Sequence, residues 1–175
     1  MFKECLQTLF SFMRIISFDP GYGRLGIAIL EKTSQKEVLI FSECFETPKE
    51  TQHSQRLAQL GARVNELLFQ FKPTHAAIEG LFFSKNTTTA LKVAEVRGIL
   101  IFLCESNNIN IHEFTPNEIK VAVTGYGKSD KKSVQTMTTK LINLPDRKML
   151  DDEIDAIACG LTFFAHKNTL LRNIK

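Results

Sequence analysis

The chain has 175 residues, the usual size of a single domain with one well-filled core. Its apolar share of 43% and charged share of 23% are ordinary for a globular protein and indicate neither a disordered chain nor a membrane protein. The net charge of +3 permits nucleic-acid binding without arguing for it, because any basic surface must then be local rather than global.

The first twelve residues, MFKECLQTLFSF, make a poor signal peptide. Their apolar stretch is short and broken by polar residues, and no small-residue cleavage site follows. No run elsewhere reaches the roughly 18 apolar residues that span a bilayer. Because Met13 stands directly before the first convincing strand, we expect residues 1–12 to be a dispensable extension. Residues 13–168 should then form one domain, followed by a tail at 169–175.

Three strands and a helix are predicted at the start of that domain. The β-rich run RIISFD from Arg14 stops at the turn formers PGYG, and LGIAILEK resumes as a second strand, which indicates a hairpin. The run EVLIFSECFET from Glu37 continues in strand-forming residues. From Gln55 to Phe71, apolar residues recur at three- and four-residue steps, which predicts an amphipathic helix with one buried face.

Strands and helices alternate after Pro73, which ends this helix. The run THAAIEG predicts a fourth strand that ends at Glu79 and Gly80, a helix follows from about Thr88 to Ser106, and INIHEF predicts a fifth strand. This succession indicates one mixed α/β sheet of five strands, with three antiparallel strands followed by parallel ones and with helices on both faces.

The last third of the chain is predicted to be helical. TPNEIKVAV opens a short helix with Thr115 as its cap, Pro116 at its first position and Glu118 capping back. GYGKSD is a loop, and further helices are predicted from Asp130 to Ile142 and from about Leu150 to His166.

The cysteines and histidines show no metal-ligand spacing. Four cysteines lie far apart without a CxxC pair, which weakens a disulfide framework and a zinc knuckle and favours reduced thiols in a cytoplasm: Cys5, Cys44, Cys104 and Cys159. No HxxxH or HExxH pattern occurs, so we assign surface or packing positions to His53, His75, His112 and His166.

Four carboxylates stand at the predicted ends of elements. Asp19 ends the first strand and Glu79 the fourth, while the stretch DDEIDAIACG puts Asp152 and Asp155 on one face of the last helix. If the first and fourth strands are neighbours, about 4.8 Å apart, acids at their ends can converge on one ion, and a docked helix can add its own. Clustered carboxylates repel one another unless a cation lies among them, and oxygen ligands favour Mg²⁺ or Mn²⁺ over zinc.

Each acid taken alone has a structural interpretation that carries more weight. Asp19 before Pro20 is most often a turn residue, and Glu79 is most often a solvated strand end. Asp151 or Asp152 is most often a helix cap. Only the order of several motifs favours a metal site over these interpretations.

Four motifs, in this order and at these intervals, resemble those of the RuvC Holliday junction resolvases of the RNase H-like superfamily. They are FDPGYGRLG, AIEGLFFSKN, TPNEIKVAVTGYGKSDKKSVQ and DDEIDAIACG. The match covers nearly everything after Met13. Its most specific pieces are AIEGLFFSKN and the GYGKSDKKSVQ loop.

The resemblance implies a cytoplasmic nuclease of recombination and DNA repair with an RNase H-like fold. Such an enzyme is a homodimer that binds a four-way DNA junction and nicks two strands symmetrically, beside the RuvA and RuvB branch-migration proteins. It uses Mg²⁺, or Mn²⁺ in its place, with two ions per subunit. The helix from Thr88 to Ser106 is the implied twofold interface, but packing on its own sheet explains its apolar positions equally well.

Carried over residue by residue, the resemblance makes Asp19, Glu79, Asp152 and Asp155 the catalytic, metal-binding acids. Asp151 would share a helical face with Asp155 as well, so the choice between Asp151 and Asp152 stays open. In the implied mechanism one ion activates the attacking water and the other stabilises the leaving 3′ oxygen, without a covalent enzyme intermediate.

Lysines and an aromatic residue complete the implied site. Lys131 matches a family lysine that would neutralise charge developing on the phosphate. Phe82 matches an aromatic suited to stacking on unpaired bases, although Phe83 beside it could be the exposed one, and a core or dimer-interface position would explain it too. Lys120 matches a second family lysine, and further phosphate contacts without sequence information would come from Lys85, Lys128 and Lys132.

Three alternatives stay open. Another RNase H-like nuclease, such as a YqgF-type RNA-processing enzyme, shares the first motif but lacks the FFSKN and paired-lysine features. Actin-like ATPases and sugar kinases also use an aspartate with a glycine hairpin, but this chain is short for their two-lobed cleft. A catalytically silent DNA-binding module is the third alternative, and the intact acidic positions argue against it.

Overall fold

A computed structural model describes residues 13–33, 36–80 and 87–172, without the side chains of 87–88 and 168–172. Within these ranges the strands are β1 (Met13–Pro20), β2 (Arg24–Lys32), β3 (Glu37–Glu46), β4 (His75–Glu79) and β5 (Asn110–Phe114). The helices are α1 (His53–Phe71), α2 (Thr87–Ser106), α3 (Pro116–Thr124), α4 (Lys131–Leu141) and α5 (Asp151–Arg172). The predicted extension at 1–12 lies outside the described residues.

The five strands form one mixed sheet in the order β3-β2-β1-β4-β5. β2 pairs antiparallel with both β1 and β3, whereas β4 pairs parallel with both β1 and β5. This arrangement confirms the predicted sheet. It also makes β1 and β4 adjacent, which is the condition that two acids at their ends need in order to meet.

Side chains that alternate along the central strands fill a core on each face of the sheet. Ile15 of β1 packs on the face covered by α3, α4 and α5, while Ile16 and Phe18 pack on the face covered by α1 and α2. All three are fully buried. Helices therefore cover both faces, as predicted, and the ends of the central strands emerge between the two helical layers.

Local chemistry sets the start of α3. The Thr115 hydroxyl accepts a hydrogen bond from the Glu118 N–H at 3.2 Å, and the Glu118 carboxylate accepts one from the Thr115 N–H at 2.8 Å. Pro116 occupies the first turn, where its missing N–H costs nothing. The predicted capping box is confirmed, and it fixes the helix that carries Lys120.

The structure adds detail on two helices. α5 continues past His166 to Arg172, because no glycine or proline interrupts the chain after Gly160. On α2, whose apolar positions we expected either at a twofold interface or packed on the chain's own sheet, Leu91 and Phe102 are each 68% exposed. Packing on the sheet of the same chain therefore does not account for these two side chains.

The cysteines in the described ranges are free thiols, with Cys104 and Cys159 buried and Cys44 partly exposed. His75 and His112 stack with their ring centroids 5.5 Å apart, so these histidines hold packing positions. No helix in the described part of the chain is both long and apolar enough to cross a membrane.

Candidate active site

Asp19 and Glu79 lie at the carboxyl ends of two adjacent parallel strands. The β1–β4 pairing runs to Phe18 and Ile78, and each acid directly follows the last paired residue of its strand. The two carboxyls lie within hydrogen-bonding reach of each other. Burial first, and then the charges of the surrounding acids, raise the pKa of Asp19 to about 8.

The start of α5 brings two more acids to this edge. Its first turn lies directly on β2, where a Cβ on Gly26 would come within 1.8 Å of the Asp152 carbonyl oxygen. Gly26 is also the partner of Asp19 in the β1–β2 ladder. Because glycine allows this close approach, the start of α5, with Asp152 in its first turn and Asp155 just after it, lies beside Asp19.

The pKa values of Glu79 and Asp155 are raised as well. Burial, and then the charge of Asp155, raise the pKa of Glu79. Burial also raises the pKa of Asp155, although Lys131 opposes this with its Nζ 2.9 Å from an Asp155 carboxylate oxygen. Asp19, Glu79 and Asp155 lie near one another in a poorly solvated place, and this raises the pKa of each.

The donor set fits a hard divalent cation, since it consists of carboxylate oxygens that repel one another. Within the described ranges, no three acidic, histidine or cysteine side chains are already arranged as a finished metal-ligand group. The four acids instead contact one another or a basic side chain. Asp19 contacts Glu79, Asp155 pairs with Lys131, and Asp152 pairs with Arg24. A cation that binds here must therefore displace these hydrogen bonds and ion pairs.

Asp151 and Asp152 have different surroundings. The Asp152 side chain is 24% exposed, and one of its carboxylate oxygens lies 3.3 Å from an Arg24 nitrogen. The Asp151 side chain is 68% exposed and lies 3.6 Å from the Lys131 Nζ. The charge of Asp152 contributes to the raised pKa of Asp19, whereas Asp151 and Asp152 both contribute to that of Asp155. The lower exposure of Asp152 favours it over Asp151 as the fourth acid of the site.

A pocket of about 200 Å³ opens beside the acids, and its lining includes Glu79, Asp155, Lys120 and Lys131. Burial acts to lower the pKa of Lys131, but the hydrogen bond to Asp155 and the charges of Asp155, Asp151 and Asp19 together outweigh burial, and the pKa is raised. The ammonium therefore keeps its charge at neutral pH. One pocket therefore contains both acids, which attract cations, and lysines, which attract phosphate.

The other predicted contact residues are less closely associated with the acids. Lys128 is exposed in the loop between α3 and α4, and Lys132 is exposed in the first turn of α4. Phe82, Phe83 and Lys85 lie outside the described residues.

Arg97 and Arg24 belong to the site but were missed in the sequence. Arg97 projects from α2 with its side chain only 9% exposed, donates a hydrogen bond to the Glu79 main-chain carbonyl, and lies 2.9 Å from the Glu113 carboxylate. It thereby ties the end of β4 to β5. No local pattern marks it, because an arginine in a helix is most often solvated. Arg24, paired with Asp152, is likewise revealed only by tertiary contact.

The comparisons with known proteins agree with this geometry. The family model "Crossover junction endodeoxyribonuclease RuvC" matches residues 15–163. A Thermotoga petrophila relative with that name is 40% identical over 146 residues, which is 83% of this chain and 88% of its own length. A Brachyspira hyodysenteriae relative with the same name is 38% identical over 165 residues, or 93% of this chain and 100% of its own length.

A solved structure shows the same fold. The structure titled "T. thermophilus RuvC in complex with Holliday junction substrate" matches with a TM-score of 0.83 at 26% identity, covering 90% of this chain and 96% of that chain. This match confirms the predicted RNase H-like architecture. The chain belongs to the RuvC family of crossover junction endodeoxyribonucleases.

Proposed function

We propose that this chain is a metal-dependent endonuclease that resolves four-way DNA junctions. The observation that carries the proposal is the convergence of Asp19, Glu79 and Asp155 at one edge of the sheet, beside Lys120 and Lys131. Family membership supplies the reaction, since the matching relatives are named as junction endonucleases. The lysines supply the positive charge that a phosphodiester substrate requires.

Four acids would hold the metal: Asp19, Glu79, Asp152 and Asp155. We propose two Mg²⁺ ions per subunit, with Mn²⁺ able to substitute, because both accept carboxylate oxygens. Bound ions supply a Lewis acid and a nucleophilic water at neutral pH. The acids themselves give up the hydrogen bond and ion pairs that now occupy their oxygens.

Lys131 would act on the scissile phosphate. Its side chain is 58% exposed, which leaves the ammonium free to approach DNA while Asp155 holds it at the acid cluster. A cation held in place before the reaction stabilises the negative charge that develops on phosphate oxygens. Lys120 lines the same pocket and would bind a phosphate nearby.

Further contacts to DNA would come from the neighbouring loops. Lys128 and Lys132 would bind backbone phosphates without reading sequence, and we propose the same for Lys85. Phe82, or Phe83 beside it, would stack on unpaired bases at the junction, a contact typically worth about 1–3 kcal/mol per base. These roles rest on the family resemblance.

We propose a homodimer whose interface includes α2. Leu91 and Phe102 are about three helical turns apart, so their two exposed side chains share one face of the helix. A twofold axis through this face would give two active sites that cut two strands symmetrically. Phe102→Glu should convert the dimer to a monomer in sedimentation, and a monomeric wild-type chain would contradict the proposal.

Partnership with RuvA and RuvB, and work in the cytoplasm, are proposed on family membership alone. A pull-down of tagged RuvA–RuvB on junction DNA tests the partnership. The expected result is recovery of this chain only when the junction is present.

Cleavage of a synthetic four-way junction in Mg²⁺, beside a duplex of the same sequence and a structured RNA, tests the proposed function. We expect symmetric nicks in the junction and little cutting of the duplex. Preferential cutting of RNA would favour the RNA-processing alternative. Junction binding without any metal-dependent nick would favour a silent binding module.

A further inference from the structure

A second pocket, of about 520 Å³, opens at the opposite flank of the acid cluster. Its walls are the turn after β1, the adjoining ends of β2 and β3, and the first turn of α1. Three cations line it, Arg24, Lys49 and Arg56, against one acid, Glu46. The pocket is therefore positively charged and open to a ligand.

Arg56 is the most unusual of these cations, because it is only 6% exposed. Its Nε donates to the Thr47 hydroxyl at 2.7 Å, and another nitrogen donates to the Tyr22 carbonyl at 3.3 Å. Both acceptors are neutral, and among the described residues no carboxylate pairs with Arg56. A buried cation without a counter-charge is costly, so an anion that enters the pocket is strongly favoured.

A second lysine strengthens the positive field at this flank. The Tyr22 ring lies 4.3 Å from the Arg56 guanidinium carbon and 4.3 Å from the Lys92 Nζ. Both cations contact the face of one aromatic ring, which holds them in place. Tyr22 follows Asp19 by three residues, so this fixed charge lies at the turn that follows β1.

The pocket is joined to the acids through Arg24. One guanidinium nitrogen of Arg24 lies 3.3 Å from the Asp152 carboxylate, and its side chain also lines the pocket. In the sheet, β2 and β3 lie on one side of β1, while β4 lies on the other. The Lys120 and Lys131 pocket and the Arg56 pocket therefore flank Asp19 on opposite sides.

Resting on the proposed nuclease function, we propose that Arg24, Lys49 and Arg56 bind a second phosphodiester group of the strand that is cut. A strand whose scissile phosphate lies at Asp19 would continue into this pocket on the β2–β3 side. Arginine suits the task because its planar fork can grip two phosphate oxygens at once. The contact reads the backbone and is independent of base sequence.

Lys49→Gln tests the pocket with the least risk to folding, because Lys49 is exposed and has no ion-pair partner within the described ranges. Binding to a junction is measured by fluorescence anisotropy in EDTA across a series of salt concentrations. We expect affinity to fall roughly three- to tenfold, and the slope of log K against log salt to shrink by about one. The matched control is Lys36→Gln, an exposed lysine at the opposite end of the same β2–β3 hairpin, which should leave both quantities unchanged.

A neutral linkage in the DNA identifies the ligand. Junctions are made with a single methylphosphonate at each position near the cut, and single-turnover cutting is measured in Mg²⁺. At the position that enters the pocket, the methylphosphonate should slow the wild type about as much as Lys49→Gln does, and the two changes together should add little. Arg56→Lys, which keeps the charge but loses the fork, should show the same coupling at that position.

The outcomes separate the pocket from the nuclease function. The proposal that the pocket binds a phosphodiester group would be contradicted by additive effects at every methylphosphonate position. Equal salt slopes for Lys49→Gln and Lys36→Gln would contradict it as well. Wild-type chain that binds the junction but never cuts it would overturn the proposed nuclease function. The anisotropy series would still decide whether the pocket binds phosphate in that case, because it needs no cleavage.

Discussion

Gly26 of β2 lies in direct contact with the main chain of Asp152 at the start of α5. A Cβ on residue 26 would come 1.8 Å from the Asp152 carbonyl oxygen and 2.5 Å from its carbon. Backbone atoms at the start of a packed helix cannot rotate aside as the end of a long side chain can. The docking of the acidic helix on the sheet therefore depends on glycine at this position.

We expect Gly26→Ala to lower the free energy of unfolding by about 3 kcal/mol, because α5 must shift to make room. The same shift should move Asp152 and Asp155 and abolish junction cutting. Urea unfolding and single-turnover cleavage measure the two effects. The matched control is Gly98→Ala on α2, where nothing in the described chain outside the helix's own backbone lies within 4 Å of an added Cβ. Because Gly98 shares the face proposed for the dimer, both glycine variants are compared in the Phe102→Glu background, where Gly98→Ala should stabilise by about 0.5–1 kcal/mol. Similar behaviour of the two variants would contradict this account.

In a buffer that contains a chelator of divalent cations, Asp19 should lower the free energy of unfolding as pH rises. Its pKa is about 8 in the folded chain against an ordinary value of 3.8, so between these values the folded chain holds a proton that the unfolded chain has released. The free energy of unfolding therefore falls as pH rises through this window. We expect Asp19→Asn to be more stable than wild type at pH 8 by about 1 kcal/mol or more, with little difference near pH 4. Parallel curves of unfolding free energy against pH for wild type and Asp19→Asn would contradict a raised pKa for Asp19.

The stacked histidines should have the opposite pH dependence. Burial, and then the charges of Lys167 and His112, lower the pKa of His75 to about 4, and burial lowers the pKa of His112 as well. The unfolded chain then binds more protons, so stability that is present above about pH 6.5 is lost as pH falls toward 4. His75→Gln should reduce this acid loss by about 1 kcal/mol in thermal or urea unfolding. The exposed His166→Gln serves as the control, and an equal effect there would contradict the assignment.

Arg147 and Glu153 form an ion pair behind the acidic turn, in which the carboxylate is buried and the arginine side chain is 44% exposed. The Glu153 side chain is 2% exposed, and Arg147 also donates to the Ser42 carbonyl of β3 at 3.0 Å. Arg147→Met should cost about 2–3 kcal/mol of stability, because it leaves a buried carboxylate unpaired. The double change Arg147→Met with Glu153→Leu should recover most of the loss. A double-mutant cycle measures this coupling, and simple additivity would rule out the pair as a stabilising unit.

Local signals predicted the elements that depend on local chemistry. The capping residues Thr115 and Glu118 determine the start of α3 through contacts three residues apart, which a sequence displays directly. Strand alternation and turn formers likewise located β1 and β2. The meeting of Asp19 with Glu79 was predicted only on the condition that their strands were adjacent, and the sheet order meets that condition.

The remaining contacts depend on pairs of residues far apart in the chain. Arg24 reaches Asp152 and Arg97 reaches the Glu79 carbonyl only after the helices dock, so no spacing in the sequence reveals them. The same holds for Phe102, since periodicity identifies an apolar position without telling which surface covers it. Roles on DNA depend on a second molecule and stay predictions for every lysine named above.

The central claim is that Asp19, Glu79 and Asp155 form one cation site. The most direct test is to measure Mn²⁺ binding to the protein without DNA. Calorimetry and the electron paramagnetic resonance signal of free Mn²⁺ both report this binding. We predict that Asp19→Asn, Glu79→Gln and Asp155→Asn each weaken Mn²⁺ binding by roughly tenfold or more and abolish cutting while junction affinity is retained. The exposed Asp146→Asn, on the loop before α5, should bind Mn²⁺ as the wild type does. Wild-type Mn²⁺ affinity in all three site variants would contradict the claim.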